Sequence, residues 1–169
     1  MDNTAWVSEK FYKNSFVFYI ENVWLYSLNV FLKNEVFLCN STLIENSAVD
    51  NKNSNKFIND VVGYANLTVF SNYYLYTLKT RIMFLFGYSG SNIPSVDKIY
   101  KSASWLERET GEMFGIQYTA KVDTRRLLLD YSKQENPLLK DYPCEGFNDV
   151  FYNFFEDQVV FNQTTAVEL

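Results

Sequence analysis

The chain contains no histidine. That removes the commonest general base and the commonest metal ligand together. Cysteine is almost as scarce. Cys39 and Cys144 lie far apart, make no CxxC pattern and cannot build a zinc site between them. Both are expected to be free thiols, buried or half-buried. With 6 Gly and 3 Pro, the chain has no glycine-rich phosphate loop. Positive charge is also short: 15 Lys and Arg stand against 20 Asp and Glu, for a net charge of −5. No basic stripe is available to neutralise phosphates, which argues against nucleic acid as a partner. No basic amphipathic helix suits a membrane surface either. The most apolar stretches, Phe16–Leu32 and Tyr73–Tyr88, are broken by Glu21, Asn22 and Asn29 and by Lys79 and Arg81. Neither supplies the roughly 20 uninterrupted apolar residues of a membrane span. The opening Met1–Trp6 has neither the basic and apolar regions of a signal peptide nor the Arg-rich, acid-poor character of a transit peptide. If the protein works in an organelle, the expectation is that it is made there.

What the chain has is aromatic and aliphatic bulk. Of its 169 residues 47% are hydrophobic and 18% aromatic, with 15 Phe and 13 Tyr. That is enough for one domain with a sizeable core plus an appendage, and it excludes a disordered chain. Phe, Tyr, Asn, Ile and Lys are favoured by AT-rich codons, so the composition points to an AT-rich, organellar gene. Three glycosylation sequons, at Asn40, Asn66 and Asn162, carry no weight in an Asn-rich chain without a secretory signal.

Periodicity gives an outline. Residues 5–14 suit a short helix and Phe16–Ile20 a first strand. Residues 22–34 repeat at helical spacing, with Asn22 as the N-cap. Val36–Glu45 looks extended, 50–56 reads as an exposed polar loop, and Phe57–Phe70 is extended again. In Tyr74–Tyr88 the even positions are almost all apolar, a strand pattern long enough to call for a hairpin turn near Lys79-Thr80. Pro94 and Ser95 open a helical region that Gly115 stops. Within it Arg108 and Glu112 are spaced as an i,i+4 pair. After residue 118 the periodicity is lost. The division expected is an α+β domain over residues 1–118, a mixed sheet flanked by helices, and an extended C-terminal segment over 119–169 that packs on a partner.

Charge, Pro and Gly gather in residues 94–146. The blocks there are Pro94-Ser95-Val96, Trp105-Leu106-Glu107-Arg108-Glu109, Glu112-Met113-Phe114-Gly115-Ile116, Asp123-Thr124-Arg125-Arg126 and Pro137-Leu138-Leu139-Lys140-Asp141-Tyr142-Pro143. In this order and spacing they resemble the signature of the thirty-kilodalton subunit of respiratory complex I, the proton-pumping NADH:ubiquinone oxidoreductase, also called NADH dehydrogenase subunit nine. The likeness spans most of residues 30–146. The chain departs from the pattern at Gly111, where an aromatic residue is usual. It departs again at Lys121-Val122 in place of His-Pro, at Asn136 in place of His, and at Leu139 in place of Arg.

On the residues alone, Glu107, Glu109 and Glu112 could be an acid/base cluster, although Glu107 and Glu109 do not share a helix face. Arg125-Arg126 could meet phosphate or partner carboxylates, and the acidic surroundings favour carboxylates. Lys140-Asp141 between two prolines reads equally as a rigid turn or as an interface contact. The resemblance implies a core subunit of the peripheral arm, in the quinone-reducing module on the matrix side of the mitochondrial inner membrane. It implies contact chiefly with the large quinone-site subunit. Trp105, Glu107, Arg108, Glu109, Asp123, Arg125, Arg126, Lys140, Asp141 and Pro143 then become interface residues. It implies no catalytic residue, no metal and no cofactor in this chain, the iron–sulfur clusters and flavin belonging to partner subunits. The alternative is a stand-alone small α+β enzyme with Glu107 or Glu109 as general base.

Overall fold

The structure, a computed structural model, describes residues 15–52, 65–131 and 135–164. The expected helix at 5–14 and the first part of the 57–70 segment lie outside these residues. Strand β1 (Ser15–Tyr19) leads through a single 3-10 turn (Asn22–Trp24) into helix α1 (Leu25–Asn34). Strands β2 (Ser41–Asp50), β3 (Leu67–Leu75) and β4 (Thr80–Tyr88) follow. They form a four-stranded sheet in the order β1-β4-β3-β2. β1 runs parallel to β4, while β3 is antiparallel to both β4 and β2. A parallel pair needs a long crossover, and the chain between β1 and β4 supplies it with α1 and the β2-β3 pair. The fold is the α+β mixed sheet with helices expected from the sequence.

The period-two pattern of 74–88 does what its spacing requires. Ile82, Phe84, Phe86 and Tyr88 of β4 are buried, opposite Tyr73, Ser71, Val69 and Leu67 of β3. The turn falls at residues 76–79, where Lys79 takes the left-handed φ of +51°. Tyr73 is the centre of the core. Its ring lies 5.3 Å from that of Phe84 and 5.4 Å from that of Tyr100, distances at which tilted aromatic pairs attract. Leu25 and Leu32 of α1 join the same core.

Several expectations need correction. Asn22 caps no helix; its amide donates to Ser91 Oγ at 2.9 Å, and the first turn is 3-10. The extended reading of 36–45 begins too early. Residues 35–39 form a turn closed by the N–H groups of Leu38 and Cys39 on Glu35 O, and the strand runs from Ser41 to Asp50. Its inward residues include Ser41, Asn46 and Asp50, so hydrophobicity hides its length. A bulge at Ile44 adds to this: Leu43 pairs with Tyr73 and Glu45 with Asn72, leaving Ile44 as the extra residue. Asp50 and Asn51, read as the start of an exposed loop, are buried. Cys39 and Cys144 are both exposed, because each sits in a surface turn rather than on a core face.

Two short strands, β5 (Ile93–Pro94) and β6 (Tyr118–Thr119), pair in parallel and bracket helix α2 (Ala103–Phe114). Among the described residues of 120–147 there is no long regular element. The chain then forms a hairpin, β7 (Asn148–Asn153) and β8 (Gln158–Gln163), that the lost periodicity did not suggest.

Candidate functional site

Helix α2 carries the densest part of the signature, and its three faces do three jobs. Ala103, Glu107, Thr110 and Phe114 form the buried stripe, at the spacing of one helix face. Two hydroxyls seat this stripe on β2. Ser102 Oγ donates to Leu43 O at 2.9 Å, and Thr110 Oγ1 donates to Asn46 O at 2.8 Å. The helix ends at Gly115, whose φ of +72° suits glycine. A Cβ there would also lie 2.9 Å from Asn136 Nδ2, so the same glycine lets the C-terminal chain pass closely.

Glu107 is an anomaly in an apolar stripe, and its surroundings explain it. Ser95 Oγ donates to Oε2 at 2.6 Å, the Val96 N–H to Oε1 at 2.8 Å and Lys121 Nζ to Oε2 at 2.9 Å. The side chains of Lys121 and Glu107 are 4% and 1% exposed. A desolvated carboxylate with three donors is a structural anion, pinning the Pro94-Ser95-Val96 block and the chain after β6 to one helix. Burial, together with the charge of Glu107 nearby, pushes the phenol of Tyr118 far above its ordinary value.

The second face grips the C-terminal chain. Arg108 and Glu112 do not pair with each other as their spacing suggested. Arg108 donates from Nε to Arg125 O at 2.7 Å, from Nη2 to Arg126 O at 2.9 Å and from Nη1 to Asp123 Oδ2 at 3.4 Å. Glu112 accepts the next three backbone N–H groups: Leu127, Leu128 at 2.9 Å and Leu129 at 3.1 Å. Carbonyls 125 and 126 thus face a cation, and amides 127 to 129 form a cradle for an anion. Burial works against the charge of Glu112, but the three amides and the charge of Arg126 outweigh it and hold the carboxyl below its ordinary range. Asp123 holds Arg125 through both oxygens, at 3.0 and 2.9 Å. The Arg125 side-chain and backbone donors, with Arg108 beside them, hold Asp123 well below the usual carboxylate range.

The Pro137–Pro143 block docks on the end of β2. The Lys140 N–H donates to Asp50 Oδ2 at 2.9 Å and Lys140 Nζ to Lys52 O at 2.6 Å, while Lys52 Nζ pairs with Asp141. Pro143 O accepts the Gly146 N–H at 3.0 Å in the turn beyond. Lys140-Asp141 is therefore engaged within the chain.

The third face is open. Trp105 is 65% exposed, and Glu109 is exposed one turn later. The structure brings Glu107, Arg108, Asp123, Arg125 and Arg126 into one neighbourhood, and sets Lys140, Asp141 and Pro143 apart at the end of β2. Sequence reasoning missed Ser95 and Lys121 as partners of Glu107, and Asp50 and Lys52 as the seat of the proline block. A glutamate at a buried helical position demands a donor, but nothing in the spacing shows which residue supplies it. Among the described residues no group of three or more His, Cys, Asp or Glu is set to hold a metal ion. None of their helices is long and apolar enough to cross a membrane.

Residues 19–148 match the family described as respiratory-chain NADH dehydrogenase, 30 Kd subunit. The chain belongs to that family. The NADH-ubiquinone oxidoreductase subunit 9 of Paramecium primaurelia is 35% identical over 167 residues, covering 97% of this chain and 79% of the relative. An NADH-quinone oxidoreductase subunit of Roseobacter denitrificans is 35% identical over 138 residues, covering 82% of this chain and 65% of the relative. Two solved structures share the fold. A trypsin-resistant fragment of Nqo5 superposes with a TM-score of 0.55 at 16% identity, over 64% of this chain and 82% of that one. A chain of the membrane-bound sulfane sulfur reductase, an archaeal respiratory membrane complex, superposes with a TM-score of 0.62 at 18% identity, over 80% of this chain and 76% of that one. The 30 Kd family match runs from the end of β1 to the first residue of β7, so it takes in β2, β3, β4, both α-helices and the gripped C-terminal chain.

Proposed function

We propose that this chain is a structural subunit of the proton-pumping NADH:ubiquinone oxidoreductase, seated in the quinone-reducing module of the peripheral arm on the matrix side of the mitochondrial inner membrane. Its work is positional: it braces the large quinone-site subunit and carries no cofactor of its own. Residues 119–169 form the bracing arm, with Trp105, Arg125 and the outer side of the gripped chain at the interface. The observation that carries this reading is the fate of the signature charges. Glu107, Arg108 and Glu112 are consumed in fastening the C-terminal chain, and that chain ends in a hairpin whose apolar side chains are solvent-facing. Phe151, Phe154, Phe155 and Phe161 are all exposed, Phe155 at 98%. Such an apolar patch suits a protein partner. The names of the relatives, subunits of NADH-ubiquinone and NADH-quinone oxidoreductases, supply the assembly.

The stand-alone enzyme reading is weaker for a specific reason. Of its two candidate bases, Glu107 is buried and already bonded to three donors, so a substrate proton has no path to it, and Glu109 is exposed on the open face of α2 with no hydrogen-bond or ion-pair partner among the described residues to tune it.

The test is Arg125→Ala in the whole complex, with assembled enzyme and turnover per assembled enzyme measured separately. A bracing residue lowers the amount of assembled complex and leaves the turnover of what assembles unchanged. Full assembly with quinone reduction abolished would overturn the structural reading.

A further inference from the structure

Among the described residues the β7–β8 hairpin is paired with no other strand. A two-stranded ribbon alone is marginal in water and needs a further strand or a covering element to hold it. Val150, Tyr152, Val159 and Phe161 share one face of the ribbon, and all four are exposed. Its two free edges differ. The Thr164 N–H donates to Phe147 O at 3.2 Å, so Phe147 and Thr164 are a hydrogen-bonded pair. Such pairs alternate along an antiparallel ladder, which turns the backbone groups of Asp149, Phe151 and Asn153 inward onto Asn162, Val160 and Gln158. The N–H and C=O groups of Asn148, Val150 and Tyr152 therefore point off the β7 side, and those of Val159, Phe161 and Gln163 off the β8 side. β7 carries the exposed Asp149. β8 has no charge, no Pro and no bulge. Sheet edges are normally guarded by such devices, and β2, at the edge of the main sheet, has both a bulge at Ile44 and an exposed Glu45. The charge of the chain gives a second, independent indication. All 15 Lys and Arg lie in residues 1–140, with 14 of the 20 Asp and Glu, a net charge of +1. Residues 141–169 hold the other six acids and no cation, a net charge of −6. Lys52 meets Asp141. Asp149, Glu156 and Asp157 of the hairpin are exposed and have no ion-pair partner among the described residues.

We propose that the free edge of β8 takes up an extended, basic segment of a neighbouring subunit as a third strand. The proposal rests on the bracing function above and names the contact that holds the end of the arm. Main-chain bonds to Val159, Phe161 and Gln163 give the added strand its register, and its side chains cover Val159 and Phe161. Lys or Arg in the same segment meets Glu156 and Asp157 at the hairpin turn, which this chain leaves without a cation. A second copy of this chain is the wrong occupant. Two β8 edges laid side by side would bring together two segments that each carry −6.

The experiment uses the intact complex isolated from membranes. Hydrogen exchange at single-residue resolution is read first on the wild-type chain, so it does not depend on how any variant folds. Phe151 and Val160, bonded within the ribbon, set the protected level. The Val159, Phe161 and Gln163 amides are expected to exchange at least about tenfold more slowly than those of Val150 and Tyr152. Equal exchange at the two edges overturns the proposal: if both are fast, nothing adds to β8, and if both are slow, the ribbon is simply buried whole. Proline then removes one outward N–H from either edge without touching the ladder. Val159 and Val150 are equally exposed, at 57% and 58%, so the side chain lost is the same. At a salt concentration that releases a small part of the wild-type chain, Val159→Pro is expected to lose about fivefold more and Val150→Pro no more than wild type. A larger loss from Val150→Pro, or no extra loss from either, overturns it. Unfolding midpoints of both free variant chains should match wild type, which separates lost docking from lost folding. A benzophenone side chain at Gln163, photolysed in the complex, identifies the occupant by mass spectrometry. A partner peptide with more Lys and Arg than Asp and Glu supports the proposal. A neutral or acidic peptide, or a second copy of this chain, overturns it. A wild-type chain that never co-purifies with the complex would instead sink the bracing function itself.

Discussion

Lys121 Nζ lies 2.9 Å from Glu107 Oε2, and both side chains are almost entirely withdrawn from water. The pair ties helix α2 to the chain leaving β6, at the point where the sheet domain hands over to the C-terminal arm.

Breaking this pair from one side should be costly. Lys121→Met leaves a carboxylate buried with two neutral donors, a loss of about 3–5 kcal/mol. Replacing both residues, Lys121→Met with Glu107→Gln, should cost much less than the sum of the single changes. Urea unfolding of the full chain and of the three variants checks this as a double-mutant cycle. Additive losses would mean that the ion pair contributes nothing of its own.

The grip of α2 on residues 125–129 should weaken in acid. Glu112 and Asp123 titrate below their ordinary values. A depressed carboxylate stabilises the fold above its unfolded pKa and loses that contribution as pH falls through the folded pKa. The window for Glu112 therefore lies below its ordinary value of 4.5. Hydrogen exchange at the Leu128 and Leu129 amides should show protection at pH 5.5 that fades towards pH 3, earlier than protection in β3 and β4. Glu112→Gln should expose both amides already at pH 5.5, since a neutral carboxamide offers one oxygen in place of a carboxylate's two.

The C-terminal arm should come apart from its far end. Residues 123–129 are fastened to α2 by Arg108 and Glu112, and Lys140 to β2 by Asp50, whereas the hairpin is paired mainly with itself. Brief chymotrypsin treatment of the free chain should cut first at Phe154-Phe155, in the exposed hairpin turn, and leave β2, β3 and β4 intact. Within the complex the same bonds should resist. Equal resistance of hairpin and sheet in the free chain would contradict the reading of the arm as partner-covered.

The parts of this fold legible in the sequence were those written in apolar spacing. β4 and its hairpin turn follow from alternation at Tyr74–Tyr88, and the end of α2 from Gly115. β2 was misjudged because Ser41, Asn46 and Asp50 point inward while Ile44 and Val49 point out, the reverse of a hydrophobic pattern. The β7–β8 hairpin escaped notice because its apolar residues face no core in this chain, so they follow no buried stripe. At the candidate site the signature marked the right helix, but spacing suggested Arg108 paired with Glu112. The structure turns both towards the backbone of residues fifteen or more positions away, a tertiary choice that no local rule contains.

The bulge at Ile44 has a bearing on how the length of this chain can vary. Inserting or deleting a residue in a regular strand turns every later side chain to the opposite side of the sheet. Ile44 is already surplus to the ladder, with Leu43 and Glu45 matched to the consecutive partners Tyr73 and Asn72. Deleting it would leave Asn46, Ala48 and Asp50 opposite the same residues of β3 and facing the same way. The protein can therefore shorten by one residue at this single position of β2 without inverting the strand, and a loss of one codon there is a change the fold can survive.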